Sequence, residues 1–345
     1  MKAPAFERND LDKRQESSRS TSSKRRHVIA CVDALRNPGK IVPYGVMAAK
    51  ALNADLTLLH VIDTKSSNAR APFDPITSEL LHRETCIRIE ELALECQENA
   101  GTVRTVVLEG RPAEQICLWA RSHKANLIII NMHQGESACG HEPGDTVRRV
   151  LGHAAGSVLL VPDDAPEMDA HRCQRIMAPL DGSSRAESAL PLALRLAHSL
   201  SAELVLVHAV PEPEFTDIGP REPEDEELHQ RLLRRNERVA RTYLKRTRTR
   251  LADQAVVVST AILSGGDPRH LLSRAIQDQH IDMVVMSSHG RGGHADMAAG
   301  SVASHLIAHA QAPLFVVREP VNEATFPVSD IPISTGLRFP HSQVA

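Results

Sequence analysis

The sequence predicts an α/β protein built from two tandem five-stranded parallel-sheet domains, and three observations carry that reading. From Val28 onward short apolar runs alternate with stretches of helical periodicity, the pattern of parallel strands joined by crossover helices. The chain has 345 residues, room for about two domains of ~150 residues each. Landmark residues also recur at a constant offset, which is the test of a duplicated unit. Asp33 and Asp181 differ by 148 positions, as do His60 and His208. Gly110 and Gly266, Pro112 and Pro268, His133 and His289, Gly144 and Gly300, and His153 and His309 all differ by 156. The change of offset places a net insertion of eight residues between the second and third strands of the second copy.

Each element follows from local composition. Residues 1–27, rich in Ser, Lys and Arg and without periodicity, read as a disordered tail. In the first domain, 28–162, the candidate strands are Val28 to Val32, Leu56 to Ile62, Val103 to Leu108, Leu127 to Ile130 and Ser157 to Val161. A polar linker, 163–174, follows. In the second domain, 175–318, the strands are Ile176 to Leu180, Leu204 to Val210, Val256 to Leu263, Met283 to Met286 and Leu314 to Val317. Its insertion holds a Pro- and acid-rich loop, Pro211 to Pro223, and then a helix from about Glu224 to Leu251. That helix is basic toward its end (Arg234, Arg235, Arg238, Arg241, Lys245, Arg246, Arg248, Arg250) and reads as a solvated face, with a polyanion site as the lesser alternative. An amphipathic helix, Val302 to Ala310, precedes the last strand, and residues 319–345, with spaced prolines, read as a loosely held tail.

Composition narrows the function. Hydrophobic residues make up 42% and aromatics only 3%, so the cores must be aliphatic. The 40 Lys+Arg against 43 Asp+Glu leave a formal charge of -3, which gives no global drive toward nucleic acid or anionic lipid. No apolar run reaches membrane-spanning length and the N-terminus lacks a signal-peptide core, so a soluble cytoplasmic protein is expected. Six scattered cysteines without a CxxC pair argue for reduced thiols rather than disulfides or a zinc knuckle.

Ligands of an open parallel sheet bind beyond the carboxyl ends of its strands, and three segments of the second half converge there. In the first, Ala178-Pro179-Leu180-Asp181-Gly182-Ser183-Ser184, the strand runs into a turn and a helix whose Ser184 and Glu187 have capping-box spacing. Asp181 at the strand tip is placed to accept hydrogen bonds from a ribose or base, and reads equally as a turn or cap residue. The second segment, Met286-Ser287-Ser288-His289-Gly290-Arg291-Gly292-Gly293, is a glycine-rich strand exit that lets backbone amides approach a ligand. The third, Gly300-Ser301-Val302-Ala303, opens a helix and offers free N–H groups at the positive end of its dipole; its plainer reading is an N-cap.

Together, Ser287-x2-Gly290-x9-Gly300-Ser301, the strand before it and the opening Pro179-Leu180-Asp181-Gly182-Ser183 resemble the universal stress protein family. That family's nucleotide signature is Gly-x2-Gly-x9-Gly followed by Ser or Thr. The resemblance implies doubly wound domains of the adenine nucleotide alpha hydrolase-like fold, pairing through their last strands, here Ser157 to Val161 and Leu314 to Val317. It also implies ATP or another adenine nucleotide, with Mg2+ as a candidate companion. Carried over, Asp181 contacts the adenosine, with Pro179, Leu180 and Ala209 as the base and ribose wall. Met286, Ser287, His289 and Gly290 line the turn over ribose and phosphates, and Gly300, Ser301, Val302 and Ala303 hold the phosphates. Ser287 departs from the pattern, standing where the family has its first glycine.

The first half departs further, with Asn131-x2-Gln134-x9-Gly144-Asp145-Thr146. A carboxylate at that helix start competes with phosphate, so the first domain is expected not to bind ATP tightly and Asp145 to occupy its own anion pocket. His133, Cys139 and His141 fit no standard zinc spacing, and no spacing nominates a catalytic base. The expected function is a universal stress protein whose second domain binds an adenine nucleotide and alters contacts with a protein partner. The alternatives are a ligand-independent interaction scaffold and a slow ATPase. Pairing of the two domains within the chain is expected, and homodimerisation is left open.

Overall fold

The computed structural model describes residues 26–34, 40–63, 75–100, 102–132, 143–166, 168, 173–213, 223–252, 255–290, 299–309 and 312–318. The expected tail 319–345, nearly all of 1–27 and the candidate ligands His133, Cys139 and His141 lie outside them.

The first half supplies strands β1 (Arg26–Cys31), β2 (Ala54–Ile62), β3 (Val103–Glu109), β4 (Leu127–Met132) and β5 (Ser157–Pro162). The second supplies β6 (Arg175–Pro179), β7 (Glu203–Pro211), β8 (Val258–Gly266), β9 (Met283–Ser287) and β10 (Leu314–Val317). They form one continuous ten-stranded sheet in the order β3-β2-β1-β4-β5-β10-β9-β6-β7-β8. Pairing is parallel within each half and antiparallel at the seam, where Leu314, Phe315 and Val316 face Leu160, Leu159 and Val158. The seam residues are wholly buried aliphatics apart from Phe315, so the two halves share a core rather than touching across a wet interface.

Crossover helices cover both faces, which is why the central strands are apolar throughout instead of alternating. One face carries α1 (Ile41–Leu52), α2 (Pro75–Ala100), α6 (Leu190–Leu200) and α7 (Pro223–Arg250). The other carries α3 (Pro112–Ser122), α4 (Asp145–His153), α8 (Pro268–Asp278) and α9 (Ser301–His309). The short α5 (Ser184–Glu187) follows β6. No described helix is long and apolar enough to cross a membrane.

The strand positions differ from expectation mainly at their ends. The first strand opens at Arg26, inside the stretch expected to be tail, because His27 is fixed on three sides. Its N–H donates to Asn126 Oδ1 (2.9 Å), its ring bonds Thr57 Oγ1 (2.8 Å), and its edge meets Trp119 at 5.3 Å between centroids. The second half repeats the backbone part of this arrangement, with Arg175 N–H donating to Asp282 Oδ2 at 2.9 Å. Strand β8 starts two residues late and runs to Gly266, slipping register against β7 between Val210 and Pro211. The stretch read as a polar linker is partly packed: Ala165 and Cys173 are buried, and Tyr44 Oη donates to Pro166 O at 2.8 Å. Cys31, Cys86, Cys96, Cys117 and Cys173 are free thiols. Burial raises the Cys31 thiol far above its usual range and pushes Cys117 up to about 11.

Candidate functional site

Strand β6 lies between β9 and β7, and the chain leaves it in one direction and returns to β9 from the other. Its carboxyl end is therefore a topological switch point, the place where an open sheet leaves a crevice. Leu180 prolongs β6 by donating its N–H to Val207 O at 2.8 Å. The chain then turns through Asp181 and Gly182, whose φ of +81° favours a residue without a Cβ. Asp181 Oδ1 accepts from Ser183 N–H (2.9 Å) and from Ser183 Oγ–H (2.6 Å). Ser183 Oγ in turn accepts from Ala186 N–H at 3.1 Å and caps α5. The cap is thus Ser183, one residue before the Ser184 that the capping-box spacing suggested. Glu187 does not fold back to complete such a box. Tyr243 Oη and Arg250 Nη2 on α7 hold its carboxylate at 2.9 and 2.7 Å. Partial burial opposes ionisation of Glu187, and the donors from Arg250 and Tyr243 outweigh it, leaving its pKa below the usual value.

The exit of β9 closes on the same point. Ser287 Oγ donates to His289 O at 2.9 Å, so the residue in the place of the family's first glycine spends its hydroxyl on its own turn. Gly290 faces the aspartate: a Cβ at this position would collide with Asp181 Oδ2. A side chain there would have to displace the Asp181 carboxylate, whether or not a ligand is bound. Ser288, which the sequence reading passed over, ties the turn to the last helix. Its N–H donates to Val317 O (2.9 Å), its carbonyl accepts from Gly300 N–H (2.8 Å), and its Oγ shares a hydrogen bond with His289 Nδ1 (3.0 Å). Ser304 N–H donates to Gly300 O and begins the intrahelical ladder of α9. The N–H groups of Ser301, Val302 and Ala303 therefore precede the first intrahelical bond, at the positive end of the helix. The first turn of α9 carries no acidic residue.

The structure thus brings Asp181, Ser287, His289, Gly290, Gly300 and Ser301 to one end of the sheet. Pro179 closes β6 beside Val207, and Ala209 lies further along β7 opposite Leu263. Leu180, Met286 and Ala303 are buried, and Val302 is half-buried against the sheet. Arg291, Gly292 and Gly293 lie outside the described residues. His208 is a positioning group: its Nδ1–H donates to Leu180 O at 2.7 Å, the carbonyl just before Asp181.

The first half preserves the frame and changes the ends. His60 Nδ1 lies 2.9 Å from Val32 O, just before Asp33, as His208 does before Asp181. Asn131, in the place of Ser287, donates from Nδ2 to Asp163 Oδ1 at 2.8 Å. Asp145 opens α4 where Ser301 opens α9. It was expected to fill its own anion pocket, but its carboxylate turns to side chains of its own helix. Arg148 and Arg149, one turn on, bind its carboxylate at 2.9 and 2.6 Å and hold its pKa below the usual carboxylate value. Two guanidinium groups at i+3 and i+4 outcompete backbone amides for an exposed carboxylate.

Comparison with known proteins finds the same duplication. The universal stress protein family matches residues 24–162 and again 173–318. A universal stress protein of Mycolicibacterium smegmatis is 27% identical over 302 residues, 84% of this chain and 96% of the relative. One from Thermus aquaticus is 31% identical over 144 residues, covering 41% of this chain and 97% of its own length. The crystal structure of a universal stress protein from Archaeoglobus fulgidus superposes with a TM-score of 0.60 at 18% identity, over 85% of this chain and 98% of that one. The chain belongs to the universal stress protein family, as two tandem copies of its domain.

Proposed function

We propose that the second half binds an adenine nucleotide, with ATP the first candidate, and that occupancy alters contacts with a protein partner. One observation carries the reading: Asp181 and the acid-free start of α9 stand at the same end of the sheet, with Gly290 lying against both. Asp181 suits a ribose diol, because its Oδ1 is fixed by Ser183 and the carboxylate is thereby oriented. The amides of Ser301, Val302 and Ala303 suit phosphate oxygens. A Cβ at Gly300 would stand in ordinary van der Waals contact with His289 Cα and Ser288 O at 3.7 Å, so the described residues do not by themselves demand a glycine there. Leu180, Met286 and Ala303 enter through backbone atoms, since their side chains are committed to the core. Ser287, tied to His289 O, shapes the turn without projecting a free hydroxyl. Mg2+ would accompany the phosphates, and no described carboxylate is assigned to it. The first half, its helix start neutralised by an arginine-clamped carboxylate, is proposed to bind no nucleotide tightly.

The test is direct. Freshly purified full-length protein is denatured and the released small molecules are identified by mass spectrometry, alongside Asp181→Ala. ATP, ADP or AMP released from the native chain and depleted in the variant supports the reading. A chain that releases none and takes up none when ATP is added would be a ligand-independent scaffold.

A further inference from the structure

Two equivalent helices at the far ends of the sheet carry opposite surfaces. Helix α2 packs over β2 and β3, and α7 over β7 and β8, both on the same face. The outermost strands β3 and β8 are nine strand spacings apart, about 43 Å at ~4.8 Å each. The two helices therefore cannot meet within one chain.

The outer side of α2 exposes Leu80, Ile87 and Leu94, at 61%, 54% and 65% accessibility. They are seven residues apart, so they return to one side of the helix every two turns as an apolar rib. Exposed Glu79, Glu84, Glu90 and Glu95 border it, with Arg83 the basic residue among them, and these carboxylates make no ion pair with a described residue. Helix α7 also exposes apolar residues on one side, Leu228 and Val239, eleven residues or about three turns apart. Here the border is acidic around Leu228, with Glu224, Asp225 and Glu227, and basic around Val239. Arg234, Arg235, Arg238, Arg241 and Arg246 are exposed and likewise make no ion pair with a described residue. An open depression of about 900 Å³ runs along this helix beside Arg235, Arg238, Val239, Tyr243 and Arg246.

We propose that α7 of one molecule docks against α2 of a second copy, head to tail. An apolar rib with a mainly acidic rim facing Val239 and its basic rim is the make-up of a helix–helix interface, in which flanking charges choose the partner. Arginine suits the rim because its planar fork pairs with carboxylates in bidentate fashion. A phosphate polymer would use the arginines and leave both apolar ribs exposed, so a second copy accounts for more of the surface. Since the two patches differ and lie at opposite ends, the contact is heterologous and propagates into chains or closed rings.

Sedimentation of the full-length protein over a range of concentrations tests this, with Arg235→Glu/Arg238→Glu breaking α7 and Glu84→Lys/Glu90→Lys breaking α2. The native chain is expected to associate, about tenfold more weakly at ~0.5 M salt than at ~0.05 M because the rim pairs are screened. Each variant alone is expected to be monomeric with native circular dichroism. An equimolar mixture of the two is expected to stop at a one-to-one pair, because each keeps one intact surface. A native chain that stays monomeric throughout overturns the proposal. So does an α2 variant that still dimerises, which would mean α7 pairs with itself. Tight binding of single-stranded DNA that is lost with Arg235→Glu/Arg238→Glu, in a chain that does not associate, overturns it in favour of a polyanion.

Discussion

The two halves hold the same frame around different ends, and the contrast separates what folding requires from what a ligand would require. Both halves place an aspartate after their first strand, and both set a histidine Nδ1 against the carbonyl before it, Val32 in one and Leu180 in the other. Both use the residue before the fourth strand to hold the start of the first, Asn126 for His27 and Asp282 for Arg175. These features satisfy main-chain groups at the strand ends, and losing one leaves such a group without that partner. The helix starts are free of that constraint. There Ser301 has become Asp145 in the other copy, and two arginines have answered it.

The largest effect on this contrast is expected from Gly290→Ala. Its Cβ must displace the Asp181 carboxylate, so adenine-nucleotide affinity should fall about 100-fold, or ~2.7 kcal/mol, measured by titration calorimetry. Next is Ser301→Asp, which copies the first half into the second. A carboxylate at the positive end of α9 should cost about tenfold in affinity, the ~1–2 kcal/mol of a charge at a helix terminus. Unchanged affinity would break the account of why the halves differ.

A smaller effect concerns stability. The residue 148 positions before Glu187 is Gly39, so the Tyr243–Glu187–Arg250 latch belongs to the second half alone. Glu187→Gln should lower unfolding free energy by about 0.5 kcal/mol at neutral pH, since Arg250 is largely exposed and the pair is screened. Because the folded pKa of Glu187 is depressed, its contribution is present above the ordinary glutamate range of about 4.3 and is lost as pH falls through the lower folded value. Urea denaturation should therefore separate native from Glu187→Gln at pH 7 and converge for the two near pH 3. The smallest effect is expected from Asp145→Asn. The ion pairs it removes are solvent-exposed, so the melting temperature should not shift measurably and the second half's nucleotide affinity should be untouched.

Much of the fold was legible because burial on both faces leaves near-continuous aliphatic strands, and because duplication let each half check the other. The seam came from the family resemblance, which implies pairing through the last strands, Ser157 to Val161 and Leu314 to Val317. Contacts decided between remote residues were not legible. Asp181 and Gly290 are 109 positions apart, and no local pattern says that a Cβ on one would strike the other. Adjacent Ser183 and Ser184 present the same capping chemistry, and only the turn geometry selects the first. Glu187 looked like a partner for its own helix because Tyr243 and Arg250 lie more than 50 positions away. Ser288 gave no signal, since its role rests on its backbone groups. Asp145 misled for a simpler reason: Arg148 and Arg149 were in view, and helix-terminal amides were credited over them.

The central claim is that one cradle in the chain, and not two, takes the nucleotide. Titration calorimetry of full-length protein with ATP, repeated on Ser301→Asp and Asp145→Asn, measures this directly. The account predicts one site per chain, weakened by the first substitution and indifferent to the second. Two equivalent sites, or a single site weakened by Asp145→Asn and not by Ser301→Asp, would contradict it.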